Sequence, residues 1–146
     1  MMSLRAATEQ DIDFLLDLRI ETMSDHLITA GITQSKDYHL QRILLRFECA
    51  QIVIYQNQPV GLFKFTRDHL EWEIIQIQIK PSLQGHGFGS QLLNLVIEEA
   101  EKIDASLKLS VFKKNPARHL YERFGFVIVI ETDDAFEMLR LCSATT

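Results

Sequence analysis

Apolar side chains recur at helical spacing in three stretches of the chain, which predicts three amphipathic helices. The first helix is expected from Thr8, which caps it, to about Met23, with Gly31 breaking the chain beyond it. The second is expected over residues 35–47 and the third over residues 88–103. The apolar positions that support these helices are Ile12, Leu15, Leu16, Ile20 and Met23, then Leu40, Ile43, Leu44 and Phe47, then Leu92, Leu93, Val96, Ile97 and Ala100.

Runs of β-branched and aromatic residues predict strands between and after these helices. Asn57-Gln58-Pro59 is expected to turn the chain between two of them, and Pro81 ends the longest, because proline cannot donate to a ladder. A short helix is expected over residues 115–124, where Gly125 stops it. The last two strands are expected to form a hairpin around Asp133-Asp134. The strands predicted in this way are residues 2–6, 51–55, 60–66, 70–79, 107–112, 126–131 and 135–141.

The order of these elements indicates the fold class. A strand and two helices precede three meandering strands, and a helix, a strand, a short helix and two strands follow. A meander followed by strand–helix–strand crossovers implies one twisted mixed sheet with helices packed on it. The fold class is therefore α/β with a mixed sheet, which is also described as α+β. About seven strands and about four helices are expected in a single domain over residues 1–146, because this is an ordinary domain length.

Composition and charge exclude several classes of function. The hydrophobic share of 47% and the charged share of 24% are those of a soluble globular protein, and a net charge of −5 disfavours a nucleic-acid partner. No apolar run approaches the roughly 18 to 20 residues of a membrane span, and the first residues lack a signal-peptide pattern. Cys49 and Cys142 have no C-x-x-C spacing, which favours reduced thiols in a cytoplasmic protein. No metal is expected, because the five histidines lack metal-ligand spacing.

The most informative stretch lies between a predicted strand and a predicted helix and reads Gln84-Gly85-His86-Gly87-Phe88-Gly89. Unpaired N–H groups and a positive helix dipole at such a place bind phosphate, and the three glycines allow positive φ and the close approach of a pyrophosphate. The spacing is not a dinucleotide fingerprint, since Ser90 stands where that pattern needs glycine, and no Gly-Lys-Ser/Thr triplet of a Walker A loop occurs. A glycine-rich helix cap without a ligand is the other interpretation.

Two motifs together resemble one known family. The loop has the spacing Gln-x-x-Gly-x-Gly, and the stretch from Asn115 to Phe126 contains Asn, then Ala, then Leu-Tyr, then Gly-Phe. Loop, segment and element order are similar to those of the GNAT superfamily of N-acetyltransferases along nearly the whole chain. The resemblance implies the acyl-CoA N-acyltransferase fold. It also implies transfer of an acetyl group from acetyl-CoA to a primary amine of a small molecule, peptide or protein, by direct attack in a ternary complex.

The resemblance further implies roles for individual residues. Tyr121 stands where the family places the acid or hydrogen-bond donor to the CoA sulfur, and Asn115 would hydrogen-bond the pantetheine. Some relatives carry a general-base glutamate at the strand position that Glu73 occupies. The strand before the loop and the strand after its helix splay apart in this fold, and the pantetheine arm pairs with backbone in the gap. The implied cofactor-binding residues are Ile77, Gln78, Ile79, Gln84, Gly85, His86, Gly87, Phe88, Gly89, Ser90, Asn115 and Tyr121.

Each of these roles has a structural alternative. Tyr121 could be a helix tyrosine packed against the sheet, Asn115 could cap the short helix, and Glu73 could lie on a solvated strand face. The isoleucines at 77 and 79 fit simple core burial, which is compatible with a ligand on their backbone. At the level of the whole chain, the alternative to an enzyme is an inactive module of the same fold that binds or senses acyl-CoA. A homodimer is compatible with either function.

Overall fold

The structure is a computed structural model that describes residues 2–29 and 35–142, with the backbone alone for residues 23–29. Within these residues, seven strands form one mixed sheet and four α-helices accompany it, which confirms the predicted fold class. The strands are β1 (Ser3–Ala6), β2 (Ala50–Tyr55), β3 (Gln58–Thr66), β4 (Glu71–Ile79), β5 (Ser106–Phe112), β6 (Val127–Glu131) and β7 (Ala135–Arg140). The helices are α1 (Ile12–Thr29), α2 (Lys36–Leu44), α3 (Phe88–Lys102) and α4 (Ala117–Arg123). The strand order in the sheet is β1-β2-β3-β4-β5-β7-β6.

The chain divides into two compact units. The first unit contains the described residues up to Lys64 together with Gln76–Phe88, and the second unit contains Phe65–Ile75 and the described residues from Gly89 onward. The single domain expected over residues 1–146 stays a prediction. No helix formed by the described residues is long and apolar enough to cross a lipid bilayer.

In the first unit, β1, β2 and β3 form an antiparallel meander. Ser3 of β1 pairs with Ile54 of β2, and Ala50 of β2 pairs with Lys64 of β3. Strands β2 and β3 are rich in apolar residues, and most of their side chains are buried. Buried side chains from α1, α2, β2 and β3 form the core of the unit: Leu15, Leu16, Leu18, Ile43, Ala50, Ile52 and Leu62.

The turn between β2 and β3 lies one residue earlier than the sequence indicates. Gln56 and Asn57 occupy its central positions with φ values of 52° and 62°, as a tight hairpin turn requires. Strand β3 therefore begins at Gln58, and Pro59 lies inside it, opposite Ile54. The ladder shifts register beside Ile54, and an irregularity of this kind tolerates a residue that has no N–H donor.

Helix α1 begins where the sequence predicts and extends further. Thr8 precedes a single 3₁₀ turn that leads into the helix, and the Thr8 N–H donates to the Asp11 carboxylate at 2.8 Å. The helical backbone continues to Thr29, so the predicted end near Met23 is wrong. Gly31, the predicted break, lies outside the described residues.

Helix α2 is shorter than the predicted helix over residues 35–47. Ser35 caps it, since its Oγ accepts the Tyr38 N–H at 3.0 Å, but the helix ends at Leu44. Arg46 then takes a left-handed conformation with φ 53°, a reversal that the apolar period does not signal. As a result Leu44, which was predicted for the apolar face, is 47% exposed.

Lys64 is a charged residue in the core of the first unit. Its side chain is fully buried, and its Nζ donates to the carbonyl oxygens of Arg42, Ile43 and Leu45 at 3.3, 2.9 and 2.6 Å. Carbonyls at a helix end lack intrahelical partners, so this lysine of β3 caps the end of α2. Burial lowers the pKa of Lys64 to about 8, and the charge of the neighbouring Arg19 adds to that effect.

In the second unit, β7 lies between β5 and β6 and pairs antiparallel with both. The β6–β7 hairpin around Asp133-Asp134 is confirmed, with Val127 opposite Leu139. The residues Glu71–Glu73 at the start of β4 pair in parallel with β5. Helix α3 contributes fully buried side chains to this unit: Leu92, Leu93 and Val96.

Candidate active site

The glycine loop connects the end of β4 to the start of α3 in a conformation that needs glycine. After Ile79 the chain makes a 3₁₀ turn, and the loop residues 84–87 are all exposed to solvent. Gly85 and Gly87 have φ values of 82° and 86°, in the left-handed region that other residues rarely adopt. A Cβ built on either glycine would meet no atom within 4 Å, so the space above the loop is open to a ligand.

Side chains of the loop hold its backbone in place. The Gln84 Nε2 donates to the carbonyl oxygen of Ile79 at 3.1 Å, and the His86 Nδ1 lies 3.1 Å from the carbonyl oxygen of Leu83. Phe88, the first residue of α3, is buried and packs edge-on against Tyr55, with 5.0 Å between ring centroids. Gln84, His86 and Phe88 therefore act on the conformation of the loop through their side chains.

The backbone N–H groups of the loop are available to a ligand. None of those at 85, 86 and 87 donates a hydrogen bond within the part of the chain that the structure describes. The first turn of α3 adds N–H groups that no helix can pair internally, and the helix dipole is positive there. Donors, positive potential and open space together fit an anionic pyrophosphate.

Gly89 is needed for the packing of two helices and not for the conformation of the loop. This corrects the expectation that all three glycines provide positive φ. Its φ is not positive, unlike those of Gly85 and Gly87. A Cβ on Gly89 would lie 3.3 Å from the Cδ2 of Leu120, so the missing side chain allows α3 and α4 to approach within the second unit. Ser90 follows in the first turn of α3 and is half-buried.

The end of β4 combines buried side chains with a close backbone approach. Ile79 is buried and Ile77 half-buried, as the packing interpretation expects. A Cβ on Gly61 would lie 2.4 Å from the carbonyl oxygen of Gln78, so β3 needs glycine beside this part of β4. Within the second unit, β4 pairs with β5 over Glu71–Glu73, and Glu73 lies opposite Lys108.

Two buried glutamine side chains on β4 each have a carboxamide oxygen that has no hydrogen-bond partner among the described residues. Gln76 and Gln78 are 8% and 5% exposed, and the Oε1 atom of each is buried without a partner. A buried carboxamide oxygen that accepts no hydrogen bond costs roughly 1–3 kcal/mol, and such groups are uncommon in folded proteins. Neither of the two sequence motifs includes Gln76. The available signal was its position in phase with Trp72 and Ile74, on the buried face of a strand.

Tyr121 lies in α4, within the second unit. The residue is 9% exposed, and its ring packs edge-on against Phe126 with 6.0 Å between centroids. Burial raises the pKa of Tyr121 to about 12, so the phenol stays protonated at physiological pH. Its hydroxyl makes no hydrogen bond with any residue in the described ranges. Packing against the sheet and a free hydroxyl are both present.

Asn115 and Glu73 also belong to the second unit. The Asn115 Oδ1 accepts the Ala117 N–H at 2.9 Å, so the capping interpretation of this residue holds. Glu73 is half-buried, and its backbone N–H donates to the Thr66 Oγ1 at 3.2 Å. The Glu73 carboxylate forms no ion pair within the described ranges. Residues 84–88 of the glycine loop and the end of β4 thus belong to the first unit, whereas Gly89 and the proposed acid and base belong to the second.

Solved structures with the same fold include N-acetyltransferases. The PaiA N-acetyltransferase of Thermoplasma acidophilum, solved in complex with coenzyme A, matches with a TM-score of 0.75 at 17% identity, covering 97% of this chain and 99% of that chain. The ribosomal-protein-S18-alanine N-acetyltransferase of Escherichia coli matches with a TM-score of 0.72 at 20% identity, covering 98% of this chain and 95% of that chain. At these identities the likeness establishes the fold.

Sequence comparison gives the family. The [ribosomal protein bS18]-alanine N-acetyltransferase of Haemophilus influenzae is 41% identical over 76 residues. The match covers 51% of this chain and 51% of that protein, so the chain spans about half the length of this curated relative. The sequence model of the acetyltransferase (GNAT) family matches residues 13–126, most of the chain. Because this match includes both the glycine loop and the segment from Asn115 to Phe126, the chain belongs to the acetyltransferase (GNAT) family, as the two motifs predict.

Proposed function

We propose that the protein is an N-acetyltransferase that moves the acetyl group of acetyl-CoA onto a primary amine. The observation that carries the proposal is the glycine loop. Its glycines at 85 and 87 have positive φ, the space above them is open, and the N–H groups of residues 85, 86 and 87 have no partner within the described ranges. A chain of this family with such a loop has the donors that a pyrophosphate needs.

Acetyl-CoA fits the glycine loop and the end of β4. The N–H groups at 85–87 and the first turn of α3 would bind the pyrophosphate, and the backbone of Ile77–Ile79 would pair with the pantetheine amides. When bound, acetyl-CoA supplies an acetyl group activated as a thioester. Gln84 and His86 support the binding indirectly, because their side chains fix the loop backbone.

Tyr121 would donate, and Glu73 would accept, a proton during the acetyl transfer. A phenol with a pKa of about 12 keeps its proton on Oη, so it can donate to negative charge that develops on a sulfur atom. The attacking amine must be neutral, and Glu73 would accept its proton directly or through water. Bulk water can accept the same proton without a dedicated base, so the transfer depends less on Glu73 than on Tyr121.

The acceptor class follows from one relative. The Haemophilus influenzae protein is named for acetylating an alanine of a ribosomal protein, which supports a peptide or protein amine as the first acceptor to test. A peptide with an N-terminal alanine tests an α-amine as the acceptor. A second peptide with a blocked N-terminus and a lysine, assayed in parallel, tests a lysine side chain as the acceptor. Small-molecule amines complete the panel. The cytoplasmic location expected from the sequence stays a prediction.

Two measurements, made one after the other, test the proposal. Thermal unfolding with acetyl-CoA, CoA, ATP and NAD comes first, because a hundredfold excess over Kd stabilises the native state by about 2.7 kcal/mol, several degrees for a domain of this size. A shift with acetyl-CoA and CoA alone is expected; no shift would refute CoA binding. Release of free thiol from acetyl-CoA with the amine panel follows. Binding without release for any amine would instead support the inactive acyl-CoA-binding module.

A further inference from the structure

Three basic side chains are buried in the first unit without an acidic partner. Arg19 of α1, His39 of α2 and Lys64 of β3 are 3%, 1% and 0% exposed. Buried charges are normally paired with an opposite charge, but none of these three side chains forms an ion pair within the described ranges. Glu48, whose negative charge acts on Lys64, is itself exposed and lies 3.4 Å from Arg46. The cluster is therefore sensitive to any further positive charge.

The hydrogen bond between Arg19 and His39 fixes the protonation state of the histidine. The Arg19 Nε donates to the His39 Nδ1 at 3.2 Å. An arginine keeps its protons in proteins, so Nδ1 must be the ring nitrogen without a proton. His39 is therefore neutral and carries its proton on Nε2. Burial lowers the pKa of His39, and the positive charge of Arg19 lowers that pKa further.

The other groups around this pair do not compensate for a charge on His39. The Cζ of Arg19 lies 5.8 Å from the centre of the Tyr38 ring, whose π electrons attract this cation. The same ring packs edge-on against His39, with 5.7 Å between centroids. Arg42 and Lys64 are cations and add to the positive potential of the cluster. The titratable groups that follow α2 and act on Lys64 are Glu48 and Cys49.

Helix α2 depends on its contacts, because nine residues are too few for a helix that is stable alone. Ile43 packs in the core of the first unit, Lys64 caps the end of the helix, and Arg19 binds the helix through His39. The contact through His39 is the one that changes as the pH falls below 7. A proton on Nδ1 would face the N–H of Arg19, so the hydrogen bond would be lost and two cations would be in contact.

We propose that His39 is an acid-sensitive switch whose protonation releases α2 from α1 in the first unit. The switch uses none of the residues assigned to acetyl-CoA or to the transfer, so it does not depend on the proposed function. Release would also unwind α2, because its helical conformation depends on packing. The remainder of the first unit, with α1, β2 and β3 in its core, is expected to stay folded.

Linkage gives the direction and the size of the effect. Because the pKa of His39 is lowered when α2 is docked, the docked state is fully stabilised above the ordinary histidine pKa of 6.5 and loses this stabilisation as the pH falls below that value. A released histidine is protonated about 10:1 at pH 5.5. The released population should therefore rise by up to about tenfold between pH 7.5 and pH 5.5.

Hydrogen exchange of the α2 amides, corrected for the intrinsic rate at each pH, measures the released population. In the wild type the exchange should accelerate about five- to tenfold between pH 7.5 and pH 5.5, whereas the α3 amides should not change. His39→Gln keeps an acceptor for Arg19 but cannot take up a proton, so its α2 should change by less than about twofold. His119→Gln alters an exposed histidine of α4 and should behave as the wild type. Equal acceleration in the wild type and His39→Gln, or in α2 and α3, overturns the proposal.

Nuclear magnetic resonance of the His39 ring tests the switch directly in the wild type. The nitrogen shifts should show a proton on Nε2 alone at pH 7.5, and Nδ1 should take up a proton only well below the ordinary pKa of 6.5. Arg19→Gln keeps an N–H donor and removes the charge, so His39 should protonate at a higher pH in this variant. A wild-type ring that protonates at its ordinary pKa, or at the same pH in both proteins, would refute the proposed switch.

Discussion

The side chain of Gln84 donates a hydrogen bond from Nε2 to the carbonyl oxygen of Ile79 at 3.1 Å, and so ties the first residue of the glycine loop to the last residue of β4. Residues 84–87 of the loop are exposed, and within the described ranges the Gln84 N–H donates to the Pro81 carbonyl oxygen at 3.3 Å, the His86 ring lies against the Leu83 carbonyl oxygen and Phe88 is buried. The Gln84 side chain therefore stabilises the conformation of the loop. Its role is distinct from that of the glycines, which supply φ and space.

Replacement of Gln84 by Met should separate these roles. The apolar side chain has a similar length but cannot donate to Ile79, so we expect about a tenfold loss of acetyl-CoA affinity and a loss of stability of about 1 kcal/mol. Titration calorimetry measures the affinity. Gln91→Met, at an exposed position of α3, is the matched control. Unchanged affinity in Gln84→Met would show that the loop keeps its conformation without the hydrogen bond from Gln84 to Ile79.

Gly87→Leu should abolish the stabilisation by acetyl-CoA. The side chain would occupy the open space above the loop, and φ 86° would strain any non-glycine residue by about 1–2 kcal/mol. Gly125→Ala is the control for the strain alone, because Gly125 has φ 95° and lies outside the loop. Thermal unfolding with acetyl-CoA should show a shift in Gly125→Ala and none in Gly87→Leu. A normal shift in Gly87→Leu would move the ligand elsewhere.

Tyr121→Phe should lower kcat about 100-fold, the low end of what a positioned general acid contributes, and leave the affinity for CoA nearly unchanged. Tyr38→Phe provides the control for loss of a phenol. Unchanged turnover would remove Tyr121 from the mechanism.

The same variant has a stability signature at high pH. Burial raises the folded-state pKa of Tyr121 from 10.0 to about 12, so its contribution to the free energy of unfolding is complete below pH 10. Wild type should lose that contribution as the pH rises from 10 to 12, and Tyr121→Phe should not. Urea unfolding at both pH values makes the comparison.

The loop and the helix behind it were predictable because their signals are local. Pro81 ends a strand, glycines follow at fixed spacing, and a regular apolar period begins at once. Lys64 shows why other features were not. Its three carbonyl partners lie 19 to 22 residues earlier in the chain, and no pattern near Lys64 indicates that it will be buried.

Conformation at single residues explains other differences. Leu45 leaves the helical conformation with ψ 120° and Arg46 follows with a left-handed φ, so α2 ends early and Leu44 is exposed, although the apolar period continues to Phe47. The start of the β2–β3 turn depends on positive φ at Gln56, a residue type with no preference for it. Residue types that tolerate many conformations give no warning of the one they adopt.

Replacing a buried glutamine of β4 by an apolar residue should preserve or raise the stability of the protein and weaken the binding of a substrate. Replacing Gln76 by Met removes a carboxamide oxygen that has no partner, so the melting temperature should stay constant or rise by a few degrees. If a ligand N–H completes the pairing, KM for acetyl-CoA or for the amine should rise severalfold. Gln58→Met, at an exposed position, is the control. A lower melting temperature in Gln76→Met would mean that the carboxamide is already satisfied in the free protein.

Asp11 makes the first unit sensitive to acid. Its carboxylate accepts two hydrogen bonds from Arg5, at 2.7 and 2.8 Å, and one from the Thr8 N–H. The hydrogen bonds of Arg5 lower the pKa of Asp11 from 3.8 to about 2, so the stabilisation is present above pH 4 and is lost as the pH falls toward 2. At pH 7, Asp11→Asn should therefore cost about 1–2 kcal/mol, a discounted value because Arg5 is half-exposed.

Urea unfolding of wild type and Asp11→Asn at pH 7, 4 and 2.5 checks the sign. The difference between the two proteins should be constant from pH 7 to about 4 and should shrink below it, because the wild type alone must protonate this carboxylate. Asp13→Asn, two residues later on an exposed position of α1, should match the wild type at each pH. A difference that stays constant down to pH 2.5 would mean that the Arg5 contact does not distinguish the charged carboxylate from the amide.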